Sequence, residues 1–250
     1  MTFLYSKSSS LNALNILIYT YFKPSTGTLM TMSEVIADAM PGKRVHVVAL
    51  SGPTHAEEVA KDLPTTIVSA CEDMQTAQFV QDVFWGTCLR VYTNEDVLGV
   101  ELCGAMKNII ALAAGVAVGL GFGDNTKAAL ITRGMAEIAR LGTAMGCDER
   151  TFGGLAGIGD LIVTATSMHS RNNRCGMLLG QGVAPEAAIA QVGMVVEGIH
   201  ALNAAMRLME AYHVDMPIVR AVNAVVNQGA DPLTEVLKLM EREQRPEADN

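Results

Sequence analysis

A lysine inside a long apolar stretch has the surroundings best suited to acid–base chemistry. If that stretch is a helix, the residues three and four positions from Lys107 share its face, and they are Cys103, Gly104, Ile110 and Ala111. Small and apolar neighbours give an ammonium few local counter-charges, which lowers a lysine pKa toward the operating pH. We therefore expect Lys107 to act as a general acid or base. The alternative is a lysine that buries its stem and lifts its ammonium into solvent, or that pairs with a distant carboxylate.

A polar triplet at the start of a predicted helix has the composition of an anion site. The triplet is Ser170-Arg171-Asn172. The first N–H groups of a helix and its dipole attract negative charge, Ser170 can cap the helix, and Arg171 adds a fork of donors. The triplet predicts a phosphate-binding site, and the alternative is an ordinary N-cap followed by a surface arginine.

A glycine-rich segment over residues 153–160 ends on a carboxylate, that of Asp160. Glycines let a backbone approach a ligand closely and adopt positive φ. Asp160 could then bind a hydroxyl group or hold a lysine charge, or it could simply cap a helix. Residues 119–124 resemble a nucleotide-binding loop, but they follow a predicted helix rather than a strand, which favours a turn.

The elements that must position these residues change character near residue 93. Apolar runs predict strands at 45–50, 65–70 and 88–92, with short helices at 56–61 and 72–84 between them, which favours a parallel sheet with crossover helices. Asn94 is a good N-cap for the next helix, and Glu95 and Asp96 fall in its first turn. After it only helices are predicted, ending near 119 and then over 125–145, 170–179, 185–192, 197–212, 218–227 and 233–243. We predict an α/β domain over residues 1–93 and an all-helical domain over 94–250.

Composition narrows the classes of function. Half of the residues are apolar, which excludes a disordered chain, and the formal net charge of -8 without a basic run argues against nucleic-acid binding. The five cysteines and five histidines are scattered, so we expect free thiols in a reducing cytoplasm and no metal site. The stretch over 97–120 could span a bilayer by length, but Glu101, Lys107 and Asn108 interrupt it. We expect a buried helix and no integral membrane segment.

Five motifs, in the same order, resemble the bacterial-type NAD(P)-dependent glycerol-3-phosphate dehydrogenases over residues 25–240. They are Leu50-Ser-Gly-Pro-Thr-His-Ala, Gly99-Val-Glu-Leu-Cys-Gly-Ala-Met-Lys-Asn, Gly119-Leu-Gly-Phe-Gly-Asp-Asn-Thr-Lys-Ala-Ala-Leu-Ile-Thr-Arg-Gly, Gly154-Leu-Ala-Gly-Ile-Gly-Asp-Leu and Thr166-Ser-Met-His-Ser-Arg-Asn. The resemblance implies a Rossmann-type parallel sheet that binds NAD(P), here incomplete. A helical substrate-binding domain like the C-terminal domain of 6-phosphogluconate dehydrogenase would follow it.

The resemblance also implies a reaction and a set of site residues. The reaction interconverts sn-glycerol 3-phosphate and dihydroxyacetone phosphate with NAD or NADP, in the cytoplasm, for glycerophospholipid synthesis. Lys107 would be the catalytic, proton-transferring residue. The substrate would be bound by Gly52, Thr54, Lys107, Asp160, Ser170, Arg171 and Asn172, and the cofactor by Ala56, Arg171, Val195 and Glu197. A homodimer is a possible assembly.

The N-terminal segment departs from the family pattern. Residues 1–24 contain no glycine, so the glycine-rich turn that seats the cofactor pyrophosphate has no counterpart there. Thr20 stands where the family usually places a further lysine beside the substrate. Residues 1–22 therefore look foreign to the fold, and we expect a truncated or altered chain that turns over poorly or not at all.

Two alternatives remain open. The chain could be a non-catalytic fragment that binds a phosphorylated ligand or a partner through its helical domain. It could also be a related β-hydroxyacid or nucleotide-sugar dehydrogenase, against which the triplet at Ser170–Asn172 argues because it supplies a phosphate site.

Overall fold

The computed structural model describes residues 29–42, 45–244 and 246–247, together with the backbone of two strands at 3–5 and 15–19. The chain forms two compact units. One, the α/β unit, comprises Met1–Gly104 and Cys147–Asp160, and the other, the helical unit, comprises Ala105–Gly146 and Leu161–Asn250. The last strand ends at Asn94, where the sequence predicts the change from strands to helices. The domain boundary at residue 93 stays a prediction.

The α/β unit contains a five-stranded sheet in the order β1-β2-β3-β4-β5. Its strands are β1 Phe3–Tyr5, β2 Asn15–Tyr19, β3 Val45–Ser51, β4 Thr65–Ala70 and β5 Leu89–Asn94. The pairs β2–β3 and β4–β5 are parallel, whereas β1–β2 and β3–β4 are antiparallel. The predicted fold class, a Rossmann-type sheet followed by helices, is confirmed.

The antiparallel pairing of β3 with β4 corrects the expectation of an entirely parallel sheet. The connection between them holds α2 (Ala56–Val59), whose four residues rise about 6 Å, whereas the seven residues of β3 span about 23 Å. A helix this short does not cover the length of β3 as a crossover helix would, and β4 runs back beside β3. The ten-residue helix α3 (Met74–Val83) is long enough, and it connects β4 to β5 in parallel.

The pairing of β2 corrects a second expectation. Residues 15–19 lie parallel to β3, from Asn15 opposite Val45 to Tyr19 opposite Ala49. Residues 1–22 are therefore not wholly foreign to the fold, because this segment extends the sheet. Thr20 lies outside the described residues.

Alternating residues of β3 pack on opposite faces of the sheet, as the period of two along a strand requires. Val48 and Leu50 pack with Val80 of α3 on one face. Ala49 packs with Val100 and Ala156 on the other. Both faces are therefore buried, which explains the continuous apolar run of this strand.

A helix that the sequence does not predict, α1 (Met32–Ala39), has its first turn closed by carboxylates. Thr31 and Glu34 form a capping box. The Glu101 carboxylate accepts hydrogen bonds from the Ser33 N–H at 2.9 Å and from its hydroxyl at 2.6 Å. No anion can replace these partners without breaking the bonds that hold the helix start.

Helices make up the rest of the described chain, and those predicted after residue 94 are confirmed. They are α4 Val97–Gly119, α5 Asp124–Ala144, α6 Glu149–Phe152, α7 Asp160–Thr166, α8 Arg171–Gly180, α9 Pro185–Val192, α10 Glu197–Ala211, α11 Pro217–Gln228 and α12 Pro232–Met240. The sequence does not predict α6 or α7.

The N-cap of α4 differs from the expected one. The Asp96 carboxylate accepts the Gly99 N–H at 2.8 Å, whereas the Asn94 side chain accepts the Asp96 N–H in the preceding turn. Asp96 therefore caps the helix, and Asn94 shapes its approach. Among the described residues, α4 is the one helix that is long and apolar enough to cross a bilayer. Of its most apolar 18-residue segment, 83% is buried within the protein, as in the core helix of a globular protein.

Candidate functional site

Four glycines set the position of α8 against α4 in the helical unit. Gly115 and Gly119 of α4 lie against Gly176 and Gly180 of α8, and a methyl group on Gly176 would collide with the Leu112 carbonyl oxygen. The contacts advance together along both helices, so the helices run parallel with their backbones touching. This packing fixes the level of α4 at which the N-terminus of α8 lies.

At that level an asparagine pair ties three helices together. The Asn172 amide nitrogen donates to the Asn108 side-chain oxygen of α4 at 2.8 Å, and the Asn172 oxygen accepts the Gly198 N–H of α10 at 2.8 Å. A Cβ atom on Gly198 would lie 2.6 Å from the Asn108 carbonyl oxygen, so this close approach requires glycine. The first turns of α8 and α10 therefore meet at one point of α4.

Charged side chains flank the asparagine pair. The Arg171 guanidinium lies 3.4 Å from one carboxylate oxygen of Glu197, and the Asn108 amide nitrogen lies 3.5 Å from the other. Arg171 keeps 35% of its side chain exposed and Glu197 keeps 24%. Lys107, half-buried, directly precedes Asn108 on α4. The Arg171 cation thus adjoins a junction of two helix N-termini, where the helix dipoles also favour negative charge.

Ser170 caps α8 as the sequence predicts. Its hydroxyl oxygen accepts the Asn173 N–H at 3.2 Å, and the Asn173 amide donates to the Ala165 carbonyl oxygen at 2.7 Å. No carboxylate in the described part of the chain accepts an N–H from this first turn. The turn can therefore receive an anion through backbone donors, with Arg171 beside it.

A second helix of the same unit, α11, begins differently. The Glu137 carboxylate of α5 accepts the Ile218 N–H at 2.8 Å and the Val219 N–H at 3.3 Å. Burial raises the pKa of Glu137 to about 7, although the two N–H donors and Arg140 act in the opposite direction. A carboxylate of the protein itself already holds the N–H groups of this turn.

The turn after β3 contains the sequence candidates of the α/β unit. Gly52 has φ +149°, and a Cβ atom there would lie 3.1 Å from the Thr66 carbonyl oxygen, so no other residue fits without strain. The Thr54 hydroxyl donates to the Gly52 carbonyl oxygen at 3.1 Å. Ala56 begins α2 and is exposed. Ligands of α/β sheets bind beyond the carboxyl ends of strands, where this turn lies.

A π-helical turn directly precedes Asp160. Leu155–Gly159 is π-helical, and Gly157 inside it has non-helical φ and ψ. A methyl group on Gly157 would collide with the Phe152 carbonyl oxygen, so this glycine permits a backbone contact rather than the expected approach to a ligand. Asp160 begins α7 and is 4% exposed. Single π-helical turns occur frequently at functional sites.

The structure brings part of the predicted site together. Ser170, Arg171, Asn172 and Glu197 meet at the start of α8, and Lys107 is the residue of α4 that precedes their contact Asn108. Val195 lies exposed in the loop before α10. Gly52, Thr54, Ala56 and Asp160 belong to the α/β unit, so the convergence of Asp160 with Lys107 stays a prediction.

Sequence reasoning missed Asn108 and Gly198. Asn108 directly follows Lys107 in one of the motifs, and Gly198 directly follows Glu197. Their adjacency to predicted site residues was the available signal. Their partners lie 64 and 26 residues away along the chain, and no local pattern reveals such pairs.

Comparison with protein families matches both parts of the chain. A model of the NAD-dependent glycerol-3-phosphate dehydrogenase C-terminus matches residues 96–237, and the N-terminal model of the same family matches residues 13–77. The match thus begins earlier than residue 25, where the sequence resemblance is expected to begin. The agreement of both models favours an enzyme of this family over a non-catalytic fragment.

Individual relatives are similar to this chain over most of its length. Glycerol-3-phosphate dehydrogenase (NAD(P)+) 2 of Lactobacillus delbrueckii subsp. bulgaricus is 64% identical over 224 residues, which are 88% of this chain and 66% of that protein. Its counterpart in Clostridium perfringens is 55% identical over 221 residues, with the same shares. The crystal structure of glycerol-3-phosphate dehydrogenase from Coxiella burnetii aligns with a TM-score of 0.84 at 37% identity, covering 90% of this chain and 68% of that one. The chain therefore spans about two thirds of the length of these relatives.

Proposed function

The chain belongs to the NAD-dependent glycerol-3-phosphate dehydrogenase family, and from this premise we propose that it interconverts sn-glycerol 3-phosphate and dihydroxyacetone phosphate with NAD(H) or NADP(H). The observation that carries the proposal is the junction of α4, α8 and α10. The Arg171 cation and two helix N-termini meet there at Asn108, the residue that follows Lys107 on α4, and Lys107 matches the catalytic lysine of the family. Phosphate recognition and proton transfer, the two tasks that this reaction asks of the protein, then fall at one place.

The start of α8 binds the substrate phosphate in this proposal. Ser170, Arg171 and Asn172 surround the first turn, and Arg171 supplies the charge. The Asn172 side chain already bonds to Asn108 and Gly198, so its main part is to hold the turn in place. Gly52, Thr54 and Asp160 would contact the remainder of the substrate.

Lys107 moves the proton. As an ammonium it donates a proton to the C2 carbonyl oxygen of dihydroxyacetone phosphate, which becomes the C2 hydroxyl group. In the reverse direction the amine accepts the hydroxyl proton of sn-glycerol 3-phosphate. The nicotinamide ring, when bound, supplies the hydride exchange at C2. Positioned proton transfer of this kind contributes roughly 10²–10⁴-fold to a rate.

The described residues fit one side of the dinucleotide. Arg171, Glu197 and exposed Val195 lie at the start of α8 and α10, and Ala56 opens α2. In the α/β unit, side chains cap four helix starts: Thr31 on α1, Asp73 on α3, Asp96 on α4 and Asp148 on α6. The four-residue α2 has no side-chain cap. None of these capped turns offers a pyrophosphate site like the one in a Rossmann domain. We therefore expect slow turnover.

Family membership also supports a proposal for the compartment, the substrate and the assembly. All five cysteines are free, as a reducing cytoplasm allows. We place the enzyme in the cytoplasm, with a small phosphorylated substrate as its partner and a homodimer as its assembly.

The test combines turnover with binding. The purified chain at high concentration is mixed with NADH or NADPH and saturating dihydroxyacetone phosphate, and absorbance of the reduced cofactor is followed. Calorimetry measures binding of sn-glycerol 3-phosphate in parallel. We expect binding, and cofactor oxidation slower than that of the Lactobacillus relative. A chain that neither binds the substrate nor oxidises the cofactor would contradict the proposal.

A further inference from the structure

The Glu197 carboxylate divides its two oxygens between the two sides of the α4–α8–α10 junction. One oxygen faces the Arg171 guanidinium at 3.4 Å, and the other faces the Asn108 amide at 3.5 Å. Glu197 is the first residue of α10, where the helix dipole stabilises its negative charge. The guanidinium is thus held by one long contact rather than by a bidentate clamp, and it retains donors for another ligand.

We infer that Glu197 is a positioning residue that holds Arg171 beside the start of α8 and limits its affinity for phosphate. The inference rests on the proposed function, which places the substrate phosphate at this turn. An arriving phosphate must share the guanidinium with the carboxylate, and the two anions repel each other. Glu197 thereby keeps the arginine in place while it lowers the affinity of the site for phosphate.

Weak phosphate binding has a use in this reaction. Substrate and product carry the same phosphate group, so tight binding of that group stabilises the bound ground states and the transition state alike. Such uniform binding lowers KM without raising kcat, and it slows product release. A carboxylate beside the arginine limits this uniform binding and leaves the orientation of the guanidinium intact.

Charge and shape at this position can be separated by substitution. Glu197→Gln keeps the length of the side chain and removes its charge. Its single oxygen can serve Arg171 or Asn108 but not both, and Asn108 retains its bond to the Ala105 carbonyl oxygen. Glu197→Asp keeps the charge and shortens the side chain. Glu186→Gln is the matched control, because it makes the same charge change in the exposed first turn of α9.

The experiment is calorimetric titration of the full chain with inorganic phosphate. We expect Glu197→Gln to bind phosphate about fivefold more tightly than the unmodified chain, as removal of a partly exposed opposing charge permits. Glu197→Asp and Glu186→Gln should stay near the original affinity. Arg171→Ala should bind more weakly, and adding Glu197→Gln to it should restore little, because the carboxylate acts through the arginine.

Several results would overturn the inference. They are unchanged or weaker binding by Glu197→Gln, an equal gain in Glu186→Gln or Glu197→Asp, an equal gain without Arg171, or no measurable phosphate binding by any variant. Turnover separates this from the proposed function. If the chain has no turnover but Glu197→Gln still tightens phosphate binding through Arg171, the proposed enzyme activity is contradicted and the positioning role is not. If the chain turns over but Glu197→Gln does not change phosphate binding, only the positioning role is contradicted. In an active chain, Glu197→Gln should lower KM for dihydroxyacetone phosphate more than it changes kcat.

Discussion

Helices α8 and α11 lie in the same unit, are of similar length and begin with opposite chemistry. The first turn of α11 receives the Glu137 carboxylate, which is buried and bonded to the Ile218 and Val219 N–H groups. The first turn of α8 is capped by a neutral hydroxyl and carries Arg171 beside it. Both helices have the same direction of backbone dipole, so the difference between their first turns comes from the side chains that neighbouring helices place there.

By this comparison, a helix start can serve as an anion site only where no carboxylate of the protein already accepts its N–H groups. In the α/β unit, α1 repeats the pattern of α11, because Glu101 bonds to the Ser33 N–H and hydroxyl. Carboxylates close α1 and α11 and make them structural. At α8 the Glu197 carboxylate contacts the Arg171 guanidinium instead of the N–H groups of the first turn, and our proposal assigns this turn to phosphate.

The largest expected effect concerns Lys107 of α4, which precedes the asparagine that meets the open start of α8. Lys107→Ala should lower kcat roughly 10²–10⁴-fold, because it removes the proton donor and acceptor. The control is Lys127→Ala, which removes a lysine that pairs with Asp124 on α5. Steady-state rates of NADH oxidation measure both. Equal rates for Lys107→Ala and the unmodified chain would mean that Lys107 does not transfer the proton.

The next effect concerns the packing that places α8. Gly176→Ala should lower the free energy of unfolding by at least about 3 kcal/mol, because the added methyl group meets the backbone of α4 and cannot be relieved by a rotamer change. Gly123→Ala is the control, since a Cβ atom there has no neighbour within 4 Å. Urea unfolding gives both values. Similar stabilities for the two variants would contradict the close contact of α4 and α8.

A smaller effect is the pH dependence of the free energy of unfolding that Glu137 causes at the start of α11. Burial raises the pKa of Glu137 from 4.5 to about 7, so the folded protein binds a proton in this range that the unfolded chain releases. The stability contributed by this group is fully present below about pH 4.5 and is lost as the pH rises through about 7. The loss should be about 3 kcal/mol.

Urea unfolding between pH 4.5 and 8 measures this term. Glu137→Gln should flatten the decline with pH, whereas the exposed Glu186→Gln should leave it unchanged. The slope is the informative quantity, because glutamine also loses one acceptor for the N–H groups of α11. An identical slope in Glu137→Gln and the unmodified chain would show that Glu137 is not the group that titrates.

Sequence patterns predict the elements well and their partners poorly. Helices α8, α9 and α10 follow from periodicity and from caps within a few residues, such as Ser170. The direction of β4 does not, because it depends on how far a four-residue helix can carry the chain. Asp96 rather than Asn94 caps α4, and the sequence does not decide between two suitable capping residues that stand two positions apart.

The site divides in the same way. The motifs place Lys107 and Arg171 on helices, which is where they lie. That a carboxylate closes α11 but not α8 is decided by Glu137, which is 81 residues from its partner Ile218. The link between Arg171 and Glu197 spans 26 residues and depends on α10 meeting α4 through Gly198. Contacts of this range are products of packing, and no local pattern encodes them.

Phosphate titration followed by amide NMR tests most directly the claim that the start of α8 is the anion site. The amide resonances of Arg171 and Asn172 should shift with inorganic phosphate, and those of Ser33, Ile218 and Val219 should remain in place. Arg171→Ala should weaken the apparent affinity about tenfold, since one partly exposed charge-assisted contact is lost. Shifts centred on the start of α1 or α11, or an affinity unchanged by Arg171→Ala, would contradict the account.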